Sequence, residues 1–159
     1  MKRAGLLFGL LTFFVVGLTG FGMFQNKDAQ NKDKDKGKME GGHMMKVMLS
    51  GSTEVPGPGD PDGSGDTSIT INEKQGQLCF EVNVNDIGKP TAAHIHKAAT
   101  GQSGPPVITL TEKNGTWNGC ATADAALIKD IKQNPANYYF NVHNAEFPDG
   151  ALRGQLSGK

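Results

Sequence analysis

Cysteine, aromatic residues and net charge are all scarce in this chain, and the shortages exclude several classes of protein. Two cysteines, Cys79 and Cys120, are too few for a zinc site built from four thiolates. The 16 basic and 16 acidic residues cancel, so a broad basic surface for nucleic acid is excluded. Hydrophobic residues make up 36%, too few for several membrane spans but enough for one modest core. The length of 159 residues fits a single domain.

The N-terminus carries the one long hydrophobic run. Lys2 and Arg3 precede an apolar stretch over residues 4–24, which is the pattern of an export signal. The run is also long enough to span a bilayer. A cleaved signal peptide over residues 1–24 is the favoured interpretation, and an uncleaved membrane anchor is the alternative. Either one predicts that the rest of the chain is periplasmic, extracellular or anchored to the envelope, with membrane contact only through residues 4–24.

The next segment has almost no hydrophobic residue. Residues 25–43 alternate lysine with aspartate, so they cannot bury enough surface to offset the entropy of ordering. We predict a disordered charged linker, followed by one domain over residues 44–159. Residue types that can bind Cu(I) are concentrated where the linker ends, at Met39, His43, Met44, Met45 and Met48. The favoured interpretation is nevertheless that the linker simply enters a strand there.

The remaining sequence is rich in glycine and in short alternating segments. Residues 77–85 alternate most strictly, with Leu78, Phe80, Val82 and Val84 on one face. Helical spacing occurs only near residues 124–133, where Thr122 is the expected cap and Asn134–Pro135 ends the helix. These patterns predict an all-β fold: an antiparallel, Greek-key-like sandwich or flattened barrel of about seven to eight strands with one short helix.

The two cysteines are expected to pair. Export places the domain in an oxidising compartment, where a Cys79–Cys120 disulfide is the default, and two separate buried thiols are the alternative.

Three histidines are the strongest candidates for a site. His94 and His96 flank Ile95 on a predicted strand, so both leave the same face while Ile95 enters the core. His143 lies on a later strand whose Phe140 and Val142 should face the core, which puts Tyr139, Asn141 and His143 on the outer face. If these strands are neighbours, the imidazole nitrogens come within about 3–5 Å of one another and can hold copper or, less favourably, zinc. The alternative is that these histidines only hydrogen-bond to loops.

Two polar residues share this face. Asn141 lies between Phe140 and Val142, and Arg153 has the parity opposite to Leu152 and Leu156. We predict that both side chains lie next to the histidines and help to orient them without binding the metal ion themselves. A purely structural Arg153 that binds a loop carboxylate, such as Asp149 or Glu54, is the alternative.

Motifs of the common enzyme classes are missing. The sequence has no G-x-G-x-x-G after a strand, no phosphate-binding loop and no nucleophile elbow. With no complete catalytic set, a binding module is favoured over an enzyme.

Several motifs give the chain a specific resemblance. They run in order from about Leu49 to Leu156: LSGSTEVPGPGDPDGSGD, GQLCFEVNV, TAAHIHKAATGQSGPPVITL, an NGC, and YYFNVHNAEFPDGALRGQL. This set resembles the CHRD domain, the module named after chordin. The resemblance places nine residues at motif positions: Glu54, His94, His96, Gly104, Pro105, His143, Gly150, Arg153 and Gly154.

This resemblance implies an exported, non-enzymatic binding module. In chordin such domains belong to an extracellular antagonist of growth factors, but the cysteine-rich modules that accompany them there are missing here, so that role is not transferred. The expected partner is a protein or a cell-envelope ligand, and no cofactor is certain.

A weaker resemblance to Cu/Zn superoxide dismutase supports the alternative of an extracytoplasmic copper protein. It puts His94, His96 and His143 at copper-ligand positions and Arg153 near a substrate-guiding arginine. A fourth copper histidine and the zinc ligands have no counterpart, which argues against dismutation.

Overall fold

A computed structural model describes residues 42–158 of the chain. The predicted signal peptide or anchor over residues 1–24, and nearly all of the predicted linker over residues 25–43, lie outside the described residues. Between residues 42 and 158, no helix is both long and apolar enough to cross a bilayer.

The described part is all-β, as the sequence predicts, with one α-helix. Three short 3-10 helices lie in the connections, at Gly51–Thr53, Glu73–Gln75 and Pro135–Asn137. The α-helix, α1, spans Ala125–Gln133. The eight strands are β1 (His43–Ser50), β2 (Ser64–Asn72), β3 (Gln77–Asn85), β4 (Pro90–Lys97), β5 (Pro106–Leu110), β6 (Asn118–Thr122), β7 (Tyr138–Asn144) and β8 (Leu152–Gln155).

All eight strands belong to one antiparallel sheet that is nearly closed into a barrel. The order β5-β4-β7-β8-β1-β2-β3-β6 makes β4 and β7 neighbours, although 40 residues separate them in the chain. The two edge strands, β5 and β6, are joined through a tight turn in which Asn114 and Gly115 both have positive φ angles of 54° and 79°. An Asn-Gly pair suits such a turn because both residues tolerate this conformation.

Hydrophobic side chains at alternate positions along the strands fill the interior of the barrel. Along β1, Met45, Val47 and Leu49 are buried while Met44 and Met48 are 61% and 78% exposed. The strand expected where the linker ends is therefore present, at His43–Ser50. The same alternation buries Ile95 of β4 and Phe140 of β7 completely.

The outer face of β7 and β8 is covered by two loops, and this cover positions the candidate site. The loop between β1 and β2 is tied down by Thr53, whose hydroxyl donates to the Arg153 carbonyl at 2.6 Å. The loop between β4 and β5 is held by β8: Arg153 donates to the Ala99 carbonyl at 3.2 Å and Gln155 donates to the Ala98 carbonyl at 2.9 Å. As a result, β7 is buried on both faces for most of its length.

The helix begins two residues later than the expected cap implies. Asp124, not Thr122, is the N-cap, and its carboxylate accepts from the backbone N–H groups of Ala126 and Leu127 at 2.8 and 3.3 Å. Thr122 is the last residue of β6 and pairs with Gln77, so its backbone belongs to the sheet. The predicted cap was wrong for this reason.

Candidate functional site

The three candidate histidines meet on the outer face of the β4–β7 pair. His94 and His96 alternate with the buried Ile95, and both are half-buried. Antiparallel pairing places Ala92 opposite His143 and His94 opposite Asn141, so His143 is diagonal to His94 across the two strands. The ring centroids lie 5.0 Å apart for His94 and His143, 5.5 Å for His94 and His96, and 6.3 Å for His96 and His143.

The nitrogen atoms of this tri-histidine cluster are close enough to share one ion. Each imidazole offers one ligand atom, and all three atoms lie within 4.8 Å of one another. The closest approach is 3.1 Å, between His94 Nδ1 and His143 Nε2. A tetrahedral or trigonal metal with bonds of about 2.0–2.1 Å to nitrogen needs separations of this size.

Two backbone carbonyls fix the tautomers of the cluster. His96 Nδ1 is 2.8 Å from the Gly104 carbonyl, and His143 Nδ1 is 3.0 Å from the Pro148 carbonyl. A carbonyl only accepts, so both Nδ1 atoms carry the proton and both Nε2 atoms keep their lone pairs. His96 Nε2 is buried and has no hydrogen-bond partner among residues 42–158. The cluster can therefore offer Nε2 of His96 and Nε2 of His143 to a metal directly. His94 can offer Nδ1 once the proton that it donates to His143 Nε2 has moved to its own Nε2.

The electrostatic setting keeps these imidazoles neutral. Burial lowers the pKa of all three below the usual 6.5. For His94, the charges of His143 and then His96 lower the pKa further. For His96 and His143, the hydrogen bonds to Gly104 and Pro148 partly oppose the effect of burial. Neutral imidazole is the form that binds a metal ion, so at neutral pH the cluster needs little deprotonation.

Arg153 lies behind the cluster and is 2% exposed. Its guanidinium stacks on the Tyr139 ring at 3.6 Å, and its Nη2 atom donates to Ala99 and Gln155. The Tyr139 ring in turn stacks against His96, with centroids 4.8 Å apart. Arg153 is therefore linked to His96 through an aromatic ring. No carboxylate of residues 42–158 lies within ion-pair distance of Arg153, although Arg153 lowers the pKa of Glu54.

Asn141 lies in the row between His94 and Arg153. It pairs with His94 on one side and with Arg153 on the other. Its side-chain amide donates to the Glu54 carboxylate and to the Leu152 carbonyl, the latter at 3.2 Å. Asn141 thus joins the loop that carries Glu54 to the sheet.

Four groups at the site were given little weight in the sequence analysis. Tyr139 was assigned to the outer face, but its position between His96 and Arg153 depends on pairing across three strands. The Gly104 and Pro148 carbonyls are backbone groups with no side-chain signature, although both neighbour turn residues. Glu54 appeared only as a motif position and as a possible partner of Arg153, and the structure buries it beside Asn141.

The predicted disulfide is present. Cys79 of β3 and Cys120 of β6 are directly opposite each other in the sheet and are bonded. Among residues 42–158, no cysteine is free.

Comparison with known proteins gives one match. The family model described as CHRD domain matches residues 45–156, a range that includes all eight strands apart from the start of β1. No curated protein and no solved structure matches the chain.

Proposed function

The chain belongs to the CHRD domain family, and from this premise we propose that it is an exported binding module that holds a copper ion with His94, His96 and His143. The observation that carries the proposal is the convergence of three imidazole ligand atoms within 4.8 Å. Two of these imidazoles have their tautomers fixed by backbone carbonyls.

Copper is favoured over zinc by the chemistry of the donor set. Imidazole binds copper more tightly than zinc in the general order of divalent metals. Three neutral imidazoles also leave the ion without a charged ligand, and the half-buried position leaves room for a further ligand from solvent.

Action outside the cytosol is supported by two features. The Cys79–Cys120 disulfide persists in oxidising compartments and is rare in the cytosol. The apolar run over residues 4–24, preceded by Lys2 and Arg3, has the composition of an export signal.

The proposal is metal binding and does not extend to dismutation. The fourth histidine of the chain, His43, lies on β1, which is separated from β7 by β8. A fourth imidazole ligand is therefore not within the cluster.

Calorimetric titration of the full chain with Cu²⁺ and Zn²⁺ tests the proposal. We expect sub-micromolar binding of one Cu²⁺, weakened at least about tenfold in His94→Ala and in His143→Ala. His43→Ala is the matched control and should bind as the wild type does, which also excludes a contribution from His43.

Absence of copper and zinc binding in the wild type would refute the metal site. The histidines would then be structural, and the ligand of the module would be a protein or a component of the cell envelope.

A further inference from the structure

Glu54 is a buried carboxylic acid that is linked to the tri-histidine cluster through Asn141. It follows the short helix Gly51–Thr53 and is 8% exposed. A β-carbon at Gly150 would lie 2.6–2.8 Å from the three atoms of the Glu54 carboxyl group, and one at Gly59 would lie 2.6 Å from its Cγ atom. The carboxyl group therefore occupies space that exists only because both neighbours are glycine.

Few charged groups face this carboxyl. Arg153 of β8 is the cation whose charge acts on it, but Arg153 does not form an ion pair with Glu54. Its Nη2 donates to Ala99 and Gln155, and its buried Nη1 has no hydrogen-bond partner among residues 42–158. Asp60, on the same loop, accepts from the backbone N–H groups of Asp62 and Gly63, and Asp149, next to Gly150, is exposed. A negative charge on Glu54 is thus poorly balanced by its surroundings.

Burial sets the protonation of Glu54. Loss of hydration raises its pKa to about 7, although Arg153, Asn141 and the backbone N–H of Val55 each lower it. Near neutral pH the carboxyl is therefore about half protonated.

Glu54 also has two connections to the metal ligands. Its carboxyl accepts from Asn141, which is the cross-strand partner of His94. It also packs against Gly150, two residues after Pro148, whose carbonyl holds His143. Both connections pass through residues that are not themselves proposed as metal ligands.

A metal ion in the cluster would bring two positive charges that its three neutral ligands do not balance. Charges in a partly buried site interact far more strongly than in bulk water. Glu54 is the buried carboxyl linked to the cluster, and it holds a proton that it can release.

We propose that Glu54 is the charge-balancing group of the tri-histidine site, more fully protonated when the site is empty and ionised when a copper ion is bound. This inference rests on the proposed function. It predicts that copper binding releases a proton from a residue that is not a ligand and that copper affinity rises with pH.

Calorimetry of the full chain with Cu²⁺ in two buffers of different protonation enthalpy counts the released protons. At pH 7 the wild type should release up to about half a proton more per copper than Glu54→Gln, and at pH 6 up to about 0.9 more, as a pKa of about 7 requires. Protons released by the histidines are common to both proteins and cancel. Glu81→Gln, which removes an exposed carboxyl of β3, should behave as the wild type.

The outcomes separate the two proposals. Equal proton release by wild type and Glu54→Gln, with copper bound by both, would overturn this inference and leave the metal site intact. No copper binding by the wild type would overturn both. Infrared difference spectra of the wild type need no variant: copper should abolish the band of a protonated carboxyl, and persistence of that band would overturn the inference even if Glu54→Gln does not fold.

Discussion

At the scale of single residues, one backbone carbonyl organises much of the candidate site. The Gly104 carbonyl accepts from His96 Nδ1 and from the Tyr139 hydroxyl, at 2.8 and 3.3 Å. A β-carbon at Gly104 would lie 2.1 Å from the Lys97 carbonyl oxygen, which is backbone and cannot move aside alone. Glycine at this position therefore allows the loop to approach β4 closely enough for its carbonyl to hold His96.

We expect Gly104→Ala to weaken copper binding by about tenfold or more, because the displaced carbonyl no longer fixes the tautomer and orientation of His96. Copper titration measures the loss. Gly101→Ala is the control within the same loop: Gly101 has φ of +76° and nothing within 4 Å of an added β-carbon. That substitution should cost about 1 kcal/mol of stability through backbone strain but leave copper affinity unchanged. Equal affinities for the two variants would contradict the role of the carbonyl.

The raised pKa of Glu54 also makes folding stability depend on pH. In the unfolded chain the carboxyl ionises near pH 4.5, while in the folded protein it stays protonated up to about pH 7. The folded state therefore holds more protons between these values, and the free energy of unfolding falls as pH rises through this window.

Glu54→Gln should remove this dependence. Relative to the variant, the wild type should lose up to about 3 kcal/mol between pH 4.5 and pH 7, with no further change above. Urea unfolding of both proteins at several pH values measures the difference, and Glu81→Gln serves as the reference for an exposed carboxyl. Parallel stability curves for wild type and Glu54→Gln would show that Glu54 titrates normally.

At the scale of secondary-structure elements, alternation in the sequence was a reliable guide to the sheet and a poor guide to the helix start. The predicted strand over residues 77–85 is β3, and the shared face of His94 and His96 is present. Thr122 and Asp124 are both good caps by residue type. Only the pairing of Thr122 with Gln77 in the sheet decides between them, and those two residues lie more than 40 positions apart in the chain.

We expect Asp124→Ala to destabilise the protein by about 1 kcal/mol, because two backbone N–H groups at the start of α1 lose their acceptor. Thr122→Ala should cost less, since its hydroxyl caps nothing. Thermal unfolding of the two variants measures both effects. A larger loss from Thr122→Ala would mean that the helix begins where the sequence alone suggested.

The loops over β7 and β8 were the least predictable elements. Parity placed Tyr139, Asn141 and Arg153 on the outer face of the sheet, where residues are usually in contact with water. The structure buries all three under loops, because Arg153 and Gln155 bind the carbonyls of Ala99 and Ala98 and Asn141 binds Glu54. Such contacts join residues more than 50 positions apart, so the periodicity of a single strand contains no sign of them.

At the scale of the whole molecule, the order of strands determines whether a site exists at all. His143 reaches His94 only because β7 lies beside β4, and β8 then inserts between β7 and β1. The sequence predicts about seven to eight short strands but not which of them are neighbours. The convergence of the histidines was therefore conditional on an arrangement that only the structure supplies.

The same order leaves β6 attached to the sheet along one side, by β3, with the Cys79–Cys120 disulfide across that pair. The bond closes a loop with a sequence separation of 41 residues, which includes β4 and β5. A disulfide across a loop of this length restricts the unfolded chain, which raises the free energy of unfolding by about 4 kcal/mol. The disulfide thus stabilises a region that contains His94 and His96 without contact to either.

We expect the double variant Cys79→Ala/Cys120→Ala to lose about 4 kcal/mol of stability, equivalent to about 15 °C in the midpoint of thermal unfolding for a domain of this size. Copper affinity measured well below that midpoint should match the wild type, because the ligands lie on β4 and β7 while the cysteines lie on β3 and β6. Calorimetric unfolding and copper titration of the same preparation test both statements. A loss below about 1 kcal/mol would show that the strands alone hold β6. Weakened copper binding in the folded variant would show instead that the barrel transmits strain from β6 to the cluster, so that the redox state of the two cysteines would control the site.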